Sequence, residues 1–298
     1  MSMRVGLHPD SYVLEGVARP GPMFARILRQ AEQAGVSAIA LMDHFLPPGA
    51  SPVDDPMLEG YTTLGFAAAH TRSTDLMLLV SGVTHRHPVL MAKAVTTLDV
   101  LSGGRARLGV GAGWFERENR AYGLPFPAVS ERFEILDETL AIIRHLWAPG
   151  DSGFNGQHFS LESTLFSPQP LRQPTPPILI GGNGRQRTLR LVARHADACN
   201  FLVEPGAHGP PLVAELLEIL RQHCDEMETD YDLIAKTILY AGRMEIDRPG
   251  TDVFLHEMRT YQALGVSEVF VMPWGHDLLA FVDALGTHII PALTAKAP

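Results

Sequence analysis

Eight times along its 298 residues the chain repeats one pair of patterns, a short apolar run followed by an amphipathic stretch. The apolar runs are Met3 to Leu7, Ala38 to Met42, Leu76 to Ser81, Ala106 to Val110, Ile178 to Ile180, Ala198 to Val203, Leu233 to Tyr240 and Glu268 to Met272. Runs this short, bounded by turn residues, read as buried strands. The stretches between them carry helical spacing. Phe133, Leu136, Leu140, Ile143 and Trp147 recur at steps of three and four, as do Leu90, Ala94, Leu98 and Leu101. Helices are expected at about 22–34, 58–70, 88–101, 129–147, 185–195, 211–228 and 251–263, with a last one carrying Leu278, Val282, Leu285 and Ile289. Pro88 suits a first helical turn, where its missing N–H costs nothing, and Gly103-Gly104 ends that helix. Strand-then-helix alternation implies a parallel sheet. Eight units fit a closed α/β fold, the (β/α)8 TIM barrel, better than an open sheet. A doubly wound sheet is the alternative, because strand order cannot be read from one sequence.

The rhythm lapses between Ala148 and Pro177, a stretch rich in Pro and Gly. It reads as an insertion after the middle strands, with a small hairpin around FNGQHFSL turning at Asn155-Gly156. It is too long for a plain connection and is a candidate cover for the site, the alternative being a mobile loop. No shift in composition divides the chain, so residues 1–298 are expected to form one domain. A net charge of −9 argues against nucleic acid as a partner. The two cysteines, Cys199 and Cys224, make no disulfide framework or thiolate metal site. The N-terminal MSMRVGLHPD lacks the apolar run of a signal peptide, and no stretch is long enough to span a bilayer. A cytoplasmic enzyme without membrane partners, acting on a small molecule, is the expectation.

In barrels of this kind the chemistry lies where strands end. Histidines gather at three neighbouring strand ends: His8, then Asp43-His44, then the run Gly82, Val83, Thr84, His85, Arg86, His87. After the fourth strand come Gly111, Ala112, Gly113 and Trp114, with Glu116, Glu118 and Tyr122 beyond, and Asn200 lies within the sixth. Asp43-His44 sets a carboxylate beside an imidazole, able either to move protons or to serve a structural hydrogen-bond network. His85-x-His87 with Asp43 and His44 could instead be a metal cluster, although alternate residues pair less surely in a loop than on a strand. Gly181-Gly182-Asn183-Gly184 joins a strand to a helix, where backbone N–H groups and the helix terminus favour an anion and Arg185 and Arg187 add charge. An ordinary tight turn is the other reading. Neither a Walker A loop nor a dinucleotide fingerprint is present.

The run VSGVTHRHPVLMAKAVTTLDVLSGGRARLGVGAGWFERENRAYG resembles the luciferase-like flavin monooxygenase superfamily, and is most similar to the branch using the deazaflavin coenzyme F420. AIALMDHF, ERFEILDETLAIIRHLW, SPQPLRQPTPPILIGGNGRQRTLRLVARHADACN and GVSEVFV extend the likeness over nearly the whole chain. The resemblance implies a luciferase-like barrel with an insertion after the middle strands. It implies catalytic roles for Asp43 and His44 near the reactive face of the coenzyme. It also implies a non-proline cis peptide bracing the ring, at Gly82-Val83 or, as second choice, Ser81-Gly82. The cofactor-binding set is then Ser81, Gly82, Val83, Gly111, Ala112, Gly113, Trp114, Gly181, Gly182, Asn183, Gly184 and Arg185, with His8, His85 and the insertion walling the substrate pocket. Trp114 departs from the branch, standing where some F420 enzymes carry a Glu. F420 is the implied cofactor, with FMN as the alternative and a homodimer the usual assembly of relatives.

Overall fold

The structure, a computed structural model, describes residues 2–10, 20–49 and 54–295. Its strands are β1 (Arg4–Leu7), β2 (Ala38–Leu41), β3 (Asp75–Leu78), β4 (Ser81–Gly82), β5 (Leu108–Gly111), β6 (Phe154–Asn155), β7 (Ser160–Leu161), β8 (Ile178–Gly181), β9 (Ala198–Val203), β10 (Ala235–Tyr240) and β11 (Val266–Val271). Its helices are α1 (Pro20–Gln33), α2 (Gly60–His70), α3 (Pro88–Ser102), α4 (Glu116–Ala121), α5 (Val129–Leu146), α6 (Arg187–His195), α7 (Gly209–Met227), α8 (Arg248–Ala263), α9 (Leu278–Ala284) and α10 (Ile290–Thr294). The large sheet pairs in the order β3-β2-β1-β11-β10-β9-β8-β5-β4, parallel throughout.

Nine segments make an eight-stranded barrel because β3 and β4 are parts of one strand. The break falls at Leu79-Val80, whose peptide bond is cis. The expected cis bond at Gly82-Val83 or Ser81-Gly82 is therefore misplaced. Ser81 and Gly82 continue the strand and pair with Val110 and Gly111, so the bend lies inside the strand and not past its end. Below the break, Leu76 bridges Ala106: its N–H donates to the Arg105 carbonyl at 2.9 Å, and Arg107 N–H donates to its own carbonyl at 2.9 Å. This seam closes the sheet. It requires Gly109, because a Cβ there would overlap the Leu78 carbonyl oxygen.

Side chains facing the lumen form their own cluster: Ala38, Ala40, Met77, Leu79, Leu179, Ala198 and Phe270. Alternate residues such as Ile39 and Leu41 face the helices in a larger shell. Small residues opposite large ones fill the lumen, Gly6 leaving room for the Phe270 ring. Charges close the N-terminal end. Buried Arg107 contacts Glu268 at 2.6 Å and Asp75 at 2.6 Å, while Ser37 Oγ donates to Glu268 at 2.6 Å. Charges this deep persist because each is paired.

The helix starts follow from local chemistry. Pro88 occupies the first turn of α3, His87 caps it by accepting from Val89 N–H at 3.3 Å, and Gly103 ends it in the left-handed region at φ 75°. The sequence reading missed α4 and the 3-10 turn Tyr231–Leu233, each too short to show a periodicity. The hairpin of β6 and β7 forms as expected, but with four loop residues, 156–159. Glu138 on α5 accepts the N–H groups of Gln157, His158 and Phe159, at 2.6 to 3.1 Å.

No residue of the segment 148–177 lines the cavity at the strand C-termini. The segment joins the end of α5 to the start of β8 on the N-terminal side of the barrel, and its hairpin packs back along α5 until Phe159 meets His87 at 5.2 Å. Asp99 accepts from Leu171 and Arg172 N–H at 2.7 and 2.9 Å, and Arg172 pairs with Asp75 at 3.0 Å. No helix among the described residues is long and apolar enough to cross a membrane.

Two glycines on different surfaces test the seam. Gly109→Ala should lose about 3 kcal/mol by overpacking, read as a fall in urea midpoint. Gly65→Ala, where a Cβ on exposed α2 meets nothing within 4 Å, should gain up to about 1 kcal/mol. Equal effects would contradict the closure described.

Candidate active site

A cavity of about 450 Å³ opens at the C-terminal ends of the strands. Of the residues expected there, Asp43, His44, Gly82, His85, Gly111, Ala112, Gly113, Trp114, Gly181, Gly182 and Asn183 line it. His8, Ser81, Val83, Gly184 and Arg185 do not. Val83 joins the shell between strands and helices. Arg185 pairs with Glu215 at 2.7 Å. Ser81 is fully buried behind Asp43, to which its hydroxyl donates at 2.6 Å. His8 is buried, its Nδ1 2.7 Å from the Ala40 carbonyl. A carbonyl only accepts, so Nδ1 carries the proton and Nε2 is bare. Burial pushes this histidine down to about 4, the Ala40 bond opposing and the nearby His44 assisting.

Asp43 follows β2 and is held from several sides. Arg86 grips it with both guanidinium nitrogens, Nη2 donating at 2.9 Å, and reaches on to Glu59 at 2.6 Å. Glu59 in turn caps α2, accepting from Thr62 N–H at 2.7 Å. Burial alone would raise the Asp43 carboxyl, but the facing His85, the Arg86 guanidinium and the Ser81 hydroxyl hold it at about 2. So tied, Asp43 is an architectural anion more than a proton carrier.

Glu118 is the residue that sequence reasoning passed over. It was visible as a polar residue beyond the fourth strand, but nothing in its position marked it as central. It stands on α4 with no solvent exposure. Its Oε2 accepts the N–H groups of Phe45 and Leu46, the latter at 2.9 Å. Its Oε1 lies 3.2 Å from His44 Nδ1 and 3.3 Å from His85 Nε2. Burial opposes its charge, and the two histidines with the Leu46 N–H outweigh burial, holding it well below the usual carboxylate range.

His85 therefore sits between two anions. Burial disfavours its charge, yet Asp43 and Glu118 push it up to about 9. Its Nδ1 is 3.8 Å from Asp43 Oδ2, beyond a direct hydrogen bond, so Asp43 acts on it mainly through charge. Among the described residues that buried Nδ1 has no hydrogen-bond partner, nor has Asn119 Oδ1, and both residues line the cavity. Buried polar groups in such positions call for a partner. His87 caps α3 and meets the Phe159 ring edge-on at 5.2 Å, apart from this group. Among the described residues no three His, Cys, Asp or Glu side chains form a metal-holding set.

The Val80 side chain packs against two glycines that line the cavity. A Cβ at Gly111 or at Gly181 would stand 3.0 Å from a Val80 methyl. Two glycines at the rim take positive φ, Gly113 at 78° and Gly182 at 132°. Asn183 pins the loop after β8, donating to Leu202 O at 2.8 Å and accepting from Leu202 N–H at 3.0 Å. Trp114, 64% exposed, stacks on Phe115 at 5.1 Å and meets the His44 ring edge-on at 5.6 Å.

The family model for luciferase-like monooxygenases matches residues 10–245. Among curated relatives, the pyrimidine monooxygenase RutA of Acinetobacter baylyi is 30% identical over 226 residues, covering 74% of this chain and 60% of that protein. The F420-dependent glucose-6-phosphate dehydrogenase of Kineococcus radiotolerans is 34% identical over 154 residues, covering 51% of this chain and 44% of that protein. The chain thus spans from under half to three fifths of the length of these relatives. A solved F420-dependent secondary alcohol dehydrogenase, in complex with an F420-acetone adduct, superposes with a TM-score of 0.83 at 16% identity, over 98% of this chain and 99% of that one.

Two of the perturbed histidines, His85 and His8, set opposite pH slopes. His85, raised from 6.5 to about 9, stabilises the fold fully below pH 6.5 and loses that contribution as pH rises through about 9. His8, lowered to about 4, favours the fold above pH 6.5 and loses that contribution as pH falls toward 4. Urea unfolding across this range should peak near neutrality, and His85→Gln should abolish the alkaline decline. An unchanged alkaline slope in that variant would contradict the assignment.

Proposed function

The chain belongs to the luciferase-like monooxygenase family, and from that membership we propose that it is an oxidoreductase using the deazaflavin coenzyme F420 to exchange a hydride with a small organic substrate. The observation that carries this reading is the Glu118–His44 pair. Nδ1 of His44 is held by a buried carboxylate, while Nε2 has no protein partner among the described residues. The residue lines a cavity in which Val80 packs against Gly111 and Gly181.

That patch suits a flat ring. The Val80 methyls fill the space a Cβ at Gly111 or Gly181 would take, so a ring would rest on Val80 and two glycine backbones. Leu79, Leu202 and Leu239 supply apolar walls. The phosphate of the coenzyme would meet the loop after β8 and the first turn of α6, where backbone N–H groups lack intrahelical acceptors. Gly182 N–H is not among those donors, since it already serves the Asn200 carbonyl at 3.0 Å.

When bound, the deazaflavin accepts or donates the hydride. The protein handles the proton. His44 Nε2 takes it from a substrate hydroxyl as the carbon loses hydride, or returns it to a carbonyl oxygen in the reverse direction. Glu118 keeps the ring in the required orientation and offsets the imidazolium charge. His85, already cationic, favours an electron-rich oxygen at the site, and its unpaired Nδ1 is a donor for a substrate acceptor.

The RutA relative favours a second reading, an FMN-dependent monooxygenase on the same barrel. Fluorescence titration with F420 and with FMN separates the two. Low-micromolar F420 binding with weaker FMN binding is expected, and no F420 binding would sink the proposal. His44→Ala should retain coenzyme binding and lose at least about a hundredfold in turnover.

A further inference from the structure

We propose that a second cavity, beside the first, is an anion groove that receives a chain of carboxylates running outward from a phosphate in the coenzyme seat. The inference rests on the deazaflavin reading. FMN ends at its phosphate, whereas the deazaflavin coenzyme continues past its phosphate into a chain of glutamates.

This cavity, of about 540 Å³, lies between α5 and α6 and reaches the end of α7. It adjoins the coenzyme seat. Phe133 lines both cavities, and Thr188, which lines the seat, directly follows Arg187, which lines the groove. A ligand anchored at the start of α6 therefore meets the groove as it leaves the seat.

Arg187, Arg190 and Arg194 recur on one face of α6, at steps of three and four, and all line the groove. Two carboxylates from α5, Glu134 and Asp137, face them there. Both have other partners. Asp137 is shared by Arg194 at 2.8 Å and His195 at 2.6 Å, and Glu134 lies 3.2 Å from His158. Arg187 lies 5.9 Å from the Phe133 ring centroid, and neither it nor Arg190 has an ion pair or hydrogen bond among the described residues. In a chain of net charge −9, two uncompensated guanidinium groups sharing one cavity form a local site for carboxylates.

The test compares three ligands, F420 with its glutamate chain, F420 stripped of its glutamates, and FMN. Each is titrated by fluorescence against wild type, the double variant Arg187→Ala/Arg190→Ala, and Arg259→Ala as a remote charge control. Wild type should bind the glutamylated form about tenfold more tightly than the stripped one at low salt, the margin shrinking at high salt. The double variant should erase that margin, losing about tenfold more affinity for the glutamylated form than for the stripped form, while the control keeps it. Equal wild-type affinity for both F420 forms overturns the groove and leaves the coenzyme reading standing. A double variant that keeps the margin, or that weakens both forms equally, overturns it too. Wild type that binds neither form overturns the coenzyme reading and the groove with it.

Discussion

Closure of the sheet between β3 and β5 is the constraint on which the rest of the molecule depends. Two neighbouring strands must approach until the Leu78 carbonyl lies where any side chain at position 109 would be. Gly109 permits this contact. Closure then fixes the lumen, and small residues at Gly6, Ala38 and Ala40 balance Phe270 and Met77 across it. It also turns every strand end of one kind toward one rim. Asp43 after β2, His85 after β4 and Glu118 beyond β5 are neighbours only because the third strand meets the fourth.

The rim is organised as alternating charge. Arg86 and His85 lie against Asp43, and His85 and His44 lie against Glu118. Each buried anion is offset by a cation or by backbone N–H groups, which makes their burial tolerable. The arrangement also divides labour between two histidines of ordinary composition. His85 is enclosed by anions and carries a proton, while His8, against a carbonyl and away from carboxylates, stays neutral.

Much of the barrel was legible because its signals are local and repeated. Phe133 to Trp147 spell a helix by spacing alone, and Pro88 with Gly103 mark both ends of α3. Asp43 and His44 were legible as well, since a polar pair closing an apolar run announces a strand end. The break at Leu79-Val80 was not. Both residues are apolar, and nothing in their identity separates a bent strand from a straight one. Glu118 was hidden for a different reason. Its importance lies in partners 33 to 74 residues distant in the chain, which no local pattern encodes.

By itself the sequence determined the number of strand-helix units, their order, and which residues terminate each strand. Those properties rest on hydrophobic period and turn chemistry, which act over a few residues. Tertiary structure alone decided which strand ends touch, which glycines line the cavity, and which polar residues are spent elsewhere. Arg185 and His8 looked equivalent to Asn183 and His85 along the chain. They differ because Arg185 meets Glu215 and His8 meets Ala40. Long-range contacts also decided the path of the segment 148–177, whose ends lie on the N-terminal side while its hairpin packs along α5 as far as His87.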